Sequence, residues 1–209
     1  MNYEQMDNNK ATLSGVISAK PIFSHDVMGE GFYETKIDVK RLSDQVDTIP
    51  VTISERLLSD CGIDEGSEVS LVGQFRSYNI SDGMKSRLIL SFFVREVIPV
   101  SDENPNVIEI NGFVCKEPIY RTTPFNREIC DMLVAVNRAY NKSDYIPCIA
   151  WGRNARFAKN LTIGSKVNIS GRIQSRVYQK QLENGEVELR TAYEVSVNRI
   201  TLVENEYAY

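Results

Sequence analysis

The sequence has 209 residues, of which 42% are hydrophobic and 25% are charged, and its formal net charge is −4. These proportions are those of soluble globular proteins, so they exclude a disordered or fibrous chain, and the length suits two small domains. No apolar run approaches the roughly 18 residues of a membrane-spanning helix, and the first residues lack an apolar signal-peptide core, which predicts a cytoplasmic protein.

The predicted elements come in two similar sets, each with three strands, one short helix and a two-stranded hairpin. In the first set, the alternation of apolar and polar residues over Val69–Phe75 predicts the fourth strand. Asp82-Gly83 predicts a turn, and Leu88–Val94 predicts the fifth strand.

The second set is predicted in more detail. Its strands and helix are expected, in chain order, at Val107–Ile110, Met132–Val136, Tyr145–Ala150, Asn154–Asn160 (the helix), Val167–Ile173 and Tyr193–Val197. Asn184-Gly185 marks the turn of the final hairpin.

The second set repeats the first at an offset of 97 residues. Leu13–Val16 recurs as Ile110–Phe113, and Gly73 recurs as Gly171 at an offset of 98. Ordered landmarks of this kind indicate a duplicated unit. The boundary is expected in a polar segment with a proline at each end, which gives a first domain at 1–98, a linker at 99–105 and a second domain at 106–209.

Glycines inside two otherwise regular strands complete the fold prediction. Gly73 and Gly171 predict a β-bulge or a tight bend where a sheet curls into a barrel. With the strand order, they predict an all-β fold of two tandem five-stranded oligonucleotide-binding (OB-fold) barrels, each with a helix between strands three and four. An antiparallel sandwich is the alternative.

Residues 106–203 resemble the bacterial single-stranded DNA-binding proteins. The resemblance rests on Asn111–Phe113, Glu117-Pro118, Ala135–Arg138, Tyr145-Ile146, Ala150–Gly152, Gly164-Ser165 and Gly171–Arg176. It implies largely sequence-independent, non-catalytic binding of single-stranded DNA in replication, recombination or repair. It also implies a bacterial nucleoid-associated location and a homodimer in which four barrels share a strand.

In the resembled family, aromatic rings stack on bases while arginines line the phosphate path, and one stacked base contributes about 1 to 3 kcal/mol. The resemblance carries these roles to Tyr140, Tyr145, Trp151, Tyr178, Arg138, Arg153, Arg172 and Arg176. Three alternatives stay open. Trp151 could be buried under the helix, Tyr140 could be a plain loop residue, and Arg172 or Arg176 could form a cross-strand ion pair with Glu188 or Glu194.

The first unit matches the family less well. Residues 1–104 carry 10 Lys and Arg against 17 Asp and Glu, whereas residues 105–209 carry 14 against 11, so phosphate binding is expected mainly in the second half. Ser54-Glu55 occupies the positions of the first unit that correspond to Trp151-Gly152 in the second. Tyr78 is the one DNA-binding residue predicted there, and the other aromatics form a reduced platform or the core: Phe32, Tyr33, Phe75, Phe92 and Phe93.

No catalytic, metal or cofactor site is predicted. The single histidine, His25, has no evident partner and is read as a surface residue, and the sequence has no nucleotide-binding glycine loop or metalloprotease motif. The four cysteines are far apart and are predicted to be buried free thiols. The acidic, apolar-tipped tail of the family is not evident at 203–209, so recruitment of enzymes through such a tail is not expected.

Two other functions stay open. A tandem-barrel scaffold for replication proteins, in a primosome-like role, is suggested by the acidic first unit. An RNA-binding barrel is the second, since nothing in the sequence distinguishes a 2′-hydroxyl.

Overall fold

A computed structural model of the chain describes residues 8–82, 85–101, 105–182 and 185–203. The first half contains six strands and one helix: β1 (Asn9–Ile17), β2 (Ile22–Val27), β3 (Glu30–Lys40), β4 (Val46–Ser54), α1 (Glu55–Cys61), β5 (Glu68–Asp82) and β6 (Lys85–Ile98). The second half repeats them in order: β7 (Asn106–Val114), β8 (Ile119–Thr122), β9 (Glu128–Arg138), β10 (Lys142–Trp151), α2 (Arg153–Ala158), β11 (Lys166–Gln181) and β12 (Val187–Leu202).

Each half closes into a barrel. In the first half, β1 pairs with both β3 and β5, and the parallel pairing of β4 with β6 completes the ring. The second half closes in the same way, through β7 with β9 and β11 and through β10 with β12. Alternating residues of these strands point inward, so Phe75 and Phe92 of the first barrel and Ile146 and Ile173 of the second are fully buried. The predicted fold of two tandem OB-fold barrels is confirmed.

The two predicted bulges are present at the glycines. The register of β5 against β6 shifts between Val72 and Gly73, and that of β11 against β12 shifts between Ser170 and Gly171. A Cβ atom at Gly171 would lie 2.2 Å from the carbonyl oxygen of Ser196, so the strands approach each other too closely for any side chain.

The two barrels share one continuous sheet. β1 and β7 pair antiparallel, with Asn9 opposite Ile110 and Leu13 opposite Asn106, so the strand order runs without a break through twelve strands. Asn9 donates from its side chain to the Phe75 carbonyl and accepts from the Phe75 N–H, and Asn106 does the same with Ile173. Each asparagine therefore satisfies a backbone position beside the β1–β7 seam.

Several details differ from the sequence predictions. The edge strands β2 and β8 were not predicted, because every residue in them is exposed and no apolar alternation marks them. The second helix starts and ends one or two residues earlier than expected, at Arg153–Ala158. Cys61 is exposed on α1 and Cys115 is only half-buried, which corrects the prediction of buried thiols for these two, whereas Cys130 and Cys148 are buried.

Some predictions fall partly outside the described residues. They concern the turns at 82–83 and 184–185, the linker at 99–105 and the chain end at 203–209. Within the described ranges, no helix has the length and apolar character needed to cross a membrane. No three His, Cys, Asp or Glu side chains in those ranges are grouped as a metal site requires.

Candidate nucleic-acid interface

A buried carboxylate of the first barrel holds the second barrel in place. Asp47, which is 1% exposed, accepts hydrogen bonds from the Ser175 N–H at 2.8 Å and from Arg172 Nη1 at 2.9 Å, both on β11. Arg41 of its own barrel donates to it at 2.6 Å. The hydrogen bond from Arg41 to Asp47 raises the pKa of the Arg41 guanidinium, which is a sign of a stabilising pair.

The equivalent carboxylate of the second barrel makes a similar but weaker contact. Asp144 accepts from the Ser77 N–H of β5 at 2.8 Å and from Arg138 at 3.3 Å. Burial raises the pKa of Asp144, although the Ser77 N–H and Arg138 act in the opposite direction. We call the contacts around these carboxylates the Asp47 junction and the Asp144 junction. They are related by the repeat, but Asp47 pairs with two arginines and Asp144 with one.

One cleft at the Asp47 junction gathers several predicted binding residues. It measures about 580 Å³ and is lined by Trp151, Arg172, Arg176 and Ser175 of the second barrel and by Arg41 and Val46 of the first. Trp151 is 39% exposed, so it is not buried under α2. An open aromatic ring among three arginines suits a base and its phosphate.

The tyrosine of the final hairpin, Tyr178, lines a different cleft but lies beside Arg176. The Arg176 guanidinium lies 5.7 Å from the centre of the Tyr178 ring, and that ring is partly exposed. Arg176 also lies 3.5 Å from Glu194, which is the cross-strand pair left open by the sequence, whereas Arg172 takes Asp47 as its partner. Trp151, Arg172 and Arg176 thus share one cleft, and Tyr178 joins this group only through its contact with Arg176.

Three other predicted residues lie at the Asp144 junction. The Tyr145 N–H donates to Ser77 Oγ at 2.7 Å, and the Tyr145 ring is 40% exposed. Arg138 pairs with Asp144, and Tyr140 follows in the β9–β10 turn with positive φ and 82% exposure. This second group is separate from the Trp151 cleft.

Two predicted residues belong to neither group. Arg153 is exposed at the start of α2. Tyr78 lines a different cleft, within the first barrel, together with Phe23, Pro50 and Ile89. Burial, and after it the nearby charge of Glu34, raises the pKa of the Tyr78 hydroxyl.

Arg41 was not predicted as a binding residue from the sequence, although the repeat could have indicated it. Arg41 occupies the position equivalent to Arg138, and through Asp47 it reaches the Trp151 cleft of the other barrel. The outward-facing pair of Phe32 and Phe93 was noted only as part of a list of aromatics, because no spacing in the sequence shows that two separate strands bring these rings 5.6 Å apart.

The strand order, the closed rings and the aromatic, arginine-lined clefts define a tandem OB-fold protein. Residues 105–203, which form the second barrel, match the Single-strand binding protein family.

Similar proteins agree with this assignment. Single-stranded DNA-binding protein 1 of Staphylococcus aureus (strain COL) is 35% identical over 83 residues, which are 36% of this chain and 50% of that protein. Single-stranded DNA-binding protein A of Bacillus subtilis (strain 168) is 32% identical over 83 residues, 36% of this chain and 48% of that protein. The match thus spans about half the length of these relatives.

Among solved structures, the wild-type single-stranded DNA binding protein from Thermus aquaticus superposes with a TM-score of 0.75 and 17% identity. The superposition covers 96% of this chain and 95% of that one. The arrangement of both barrels, and not that of the second alone, is therefore a known fold.

Proposed function

We propose that the protein binds single-stranded DNA without catalysis and without strong sequence preference. The observation that carries the proposal is the cleft at the Asp47 junction, where Trp151 lies beside Arg41, Arg172 and Arg176. Every base has a π-face, so an exposed ring binds any sequence, while the guanidinium groups neutralise phosphates. The names of the matched relatives support the same ligand.

The proposed working units are the two barrels, divided at 1–98, 99–105 and 106–209. The proposed setting is replication, recombination or repair on the bacterial nucleoid in the cytoplasm. The eight residues predicted in the second barrel and Tyr78 in the first are the proposed DNA contacts.

Trp151 provides a direct test because it is the single tryptophan of the chain. Titration with oligo-dT at low salt is expected to quench its fluorescence, and added salt is expected to weaken binding with a log–log slope of about −0.7 per phosphate contact. Trp151→Phe is the matched control, since it removes the fluorescence and keeps a stacking ring. Absence of both quenching and an anisotropy change of labelled oligo-dT would reject the proposal. Tighter binding of oligo-U than of oligo-dT would assign RNA instead.

The protein is further proposed to act as a homodimer, which would present four barrels to one strand. Light scattering after size-exclusion chromatography is expected to give twice the chain mass, with or without oligo-dT. A monomer mass at micromolar concentration would reject the dimer without touching the binding proposal.

A further inference from the structure

The continuous sheet begins at β2 and ends at β8, which are the first and last strands in its order. Among the described strands, β2 pairs only with β3, and β8 pairs only with β9. Every side chain of both strands is exposed. Each of these strands therefore has an unpaired backbone edge, and such an edge can accept a strand from another molecule.

The two edges have opposite charges. Residues 22–30, from β2 to the first residue of β3, contain Asp26 and Glu30 and neither lysine nor arginine. Their equivalents at an offset of 97, residues 119–127, contain Arg121 and Arg127 and no carboxylate side chain. We call residues 22–30 the acidic edge and residues 119–127 the basic edge.

The helices beside the edges extend this difference in charge. Helix α1 packs against β3, the partner strand of β2, and α2 packs against β9, the partner strand of β8. Residues 55–65, which contain α1, carry four carboxylates and one arginine. The equivalent residues 152–162, which contain α2, carry two arginines and one lysine and no carboxylate side chain. The first barrel thus ends in a negative surface and the second in a positive one.

Both edges also expose apolar side chains at equivalent positions. Ile22 and Met28 of the acidic edge are exposed, and so are their counterparts Ile119 and Phe125 of the basic edge. Burial of such side chains in a contact is favourable, since it removes apolar surface from water. Each edge therefore offers both charge and apolar surface to a partner.

Three of the four charged side chains of the edges are without an ion pair inside the described parts of the chain: Asp26, Glu30 and Arg127. Asp26 accepts a hydrogen bond from the Gly29 N–H at 3.0 Å, and Glu30 accepts one from the Arg56 N–H at 3.4 Å. The fourth, Arg121, pairs with Asp131 at 2.6 Å, and that pair is exposed. The charge of each edge is therefore not neutralised by its own barrel.

From the open edges and their opposite charges we infer that copies of this chain associate end to end, with the acidic edge of one copy against the basic edge of the next. Two identical edges would bring like charges together, so the contact between unlike edges is favoured. Because this contact joins different surfaces of the two copies, each pair keeps one free edge of either kind and can extend into an open chain. The contact is separate from the homodimer proposed above and does not rest on DNA binding.

The edges set the strength of this contact. Strand β8 has only four residues, and the register of β2 against β3 shifts between Phe23 and His25, so the two edges form only a short ladder. Charge attraction between exposed groups reaches about 30 Å in 0.01 M salt but only about 3 Å in 1 M salt. The association is therefore weak, and it is strongest at low salt.

Sedimentation velocity of the full chain without DNA tests the contact. In about 0.01 M salt the native chain is expected to form species larger than the unit that it forms in about 1 M salt. Glu30→Lys and Arg127→Glu are each expected to weaken this association about tenfold. An equimolar mixture of the two variants is expected to restore it, since the unchanged edges of the two variants complement each other.

Glu68→Lys is the matched control, because Glu68 is exposed on β5 near the middle of the strand order and makes the same change in charge. It is expected to associate as the native chain does. Absence of larger species in the native chain at low salt would overturn the inference, and so would native association of both edge variants. Neither result involves DNA, so each leaves the proposed function intact.

Crosslinking of the native chain gives a readout that does not depend on the variants folding. A carbodiimide joins carboxylates to lysine amines, and a mixture of isotopically light and heavy chains marks the links between copies. Lys159 lies beside the basic edge, with its Nζ 5.0 Å from the centre of the Tyr120 ring. Mixed-isotope links from Lys159 to Asp26, Glu30 or Glu55 are expected at low salt. Links between copies that all avoid these three carboxylates would overturn the inference.

Discussion

Asp47 on β4 of the first barrel and Ser175 on β11 of the second are joined by a hydrogen bond of 2.8 Å, in which the Ser175 N–H donates to the carboxylate. The same carboxylate carries Arg41 and Arg172, so one buried charge positions two arginines of the proposed DNA cleft. The contact that joins the two barrels thus also positions Arg41 and Arg172, two of the proposed binding residues.

Replacing Asp47 by alanine is expected to lower the free energy of unfolding by about 3 to 5 kcal/mol, because two arginines and a backbone N–H lose a buried partner. Asp47→Asn keeps an acceptor and is expected to cost less. Urea denaturation measures both. Asp60→Ala, which breaks an exposed pair with Arg56, is the control and is expected to cost about 0.5 kcal/mol or less. Equal stability of all three variants would contradict the assigned role of Asp47.

Two arginines of the second barrel are expected to behave differently. Arg153 is exposed, so Arg153→Ala is expected to reduce the salt slope of oligo-dT binding by about 0.7 and leave thermal stability unchanged. Arg172→Ala is expected to lower the melting temperature as well, since Arg172 pairs with buried Asp47. Salt titrations and thermal melts of the two variants separate a phosphate contact from a structural one. A lower melting temperature for Arg153→Ala would argue against this division.

Gly171→Ala is expected to destabilise the second barrel by about 1 to 3 kcal/mol, since the new Cβ would stand 2.2 Å from the Ser196 carbonyl oxygen. Ser170→Ala, one residue earlier on the same strand, is the control and is expected to change stability little. Chemical denaturation followed by circular dichroism compares them. Equal midpoints would show that the bulge can open without cost.

The thiols are expected to react with a disulfide reagent at about pH 8 in a fixed order. Cys61 is exposed and reacts first. Burial raises the pKa of Cys130 to about 11, and it also raises the pKa of Cys148. At about pH 8 a smaller fraction of each is therefore in the reactive thiolate form than for an ordinary cysteine. Cys115 is partly exposed, and burial also raises its pKa, so it reacts more slowly than Cys61.

Mass spectrometry of partly labelled protein gives the order, and Cys61→Ser is expected to abolish the fast phase. Labelling in urea is the control, because unfolding makes all four thiols equivalent. Fast labelling of Cys148 in the native protein would contradict the burial of β10.

The fold could be predicted because the repeat and the two strand glycines can be recognised directly in the sequence. Gly73 and Gly171 indicated bulges, and bulges are present there. The edge strand β2 could not be predicted, since its pairing with β3 leaves all six of its side chains exposed. Edge pairing depends on backbone hydrogen bonds, which carry little sequence signature.

Individual aromatic residues of the candidate site could be predicted from the sequence, but their arrangement in space could not. Trp151 and Tyr178 were foreseen, and both are partly exposed. The reach of Arg172 to Asp47 joins positions that are 125 residues apart, and no local pattern encodes such a contact. Phe32 of β3 and Phe93 of β6 likewise come together only in the folded sheet, where both strands lie next to β4.

The pairing of β1 with β7 has an evolutionary consequence. In an assembly of identical chains, every mutation appears at all equivalent sites at once, so the sites cannot specialise. Here the two halves of the pair are encoded separately while the seam keeps their geometry fixed. Selection can therefore tune one barrel, as in the opposite charges of the acidic and basic edges, without disturbing the other.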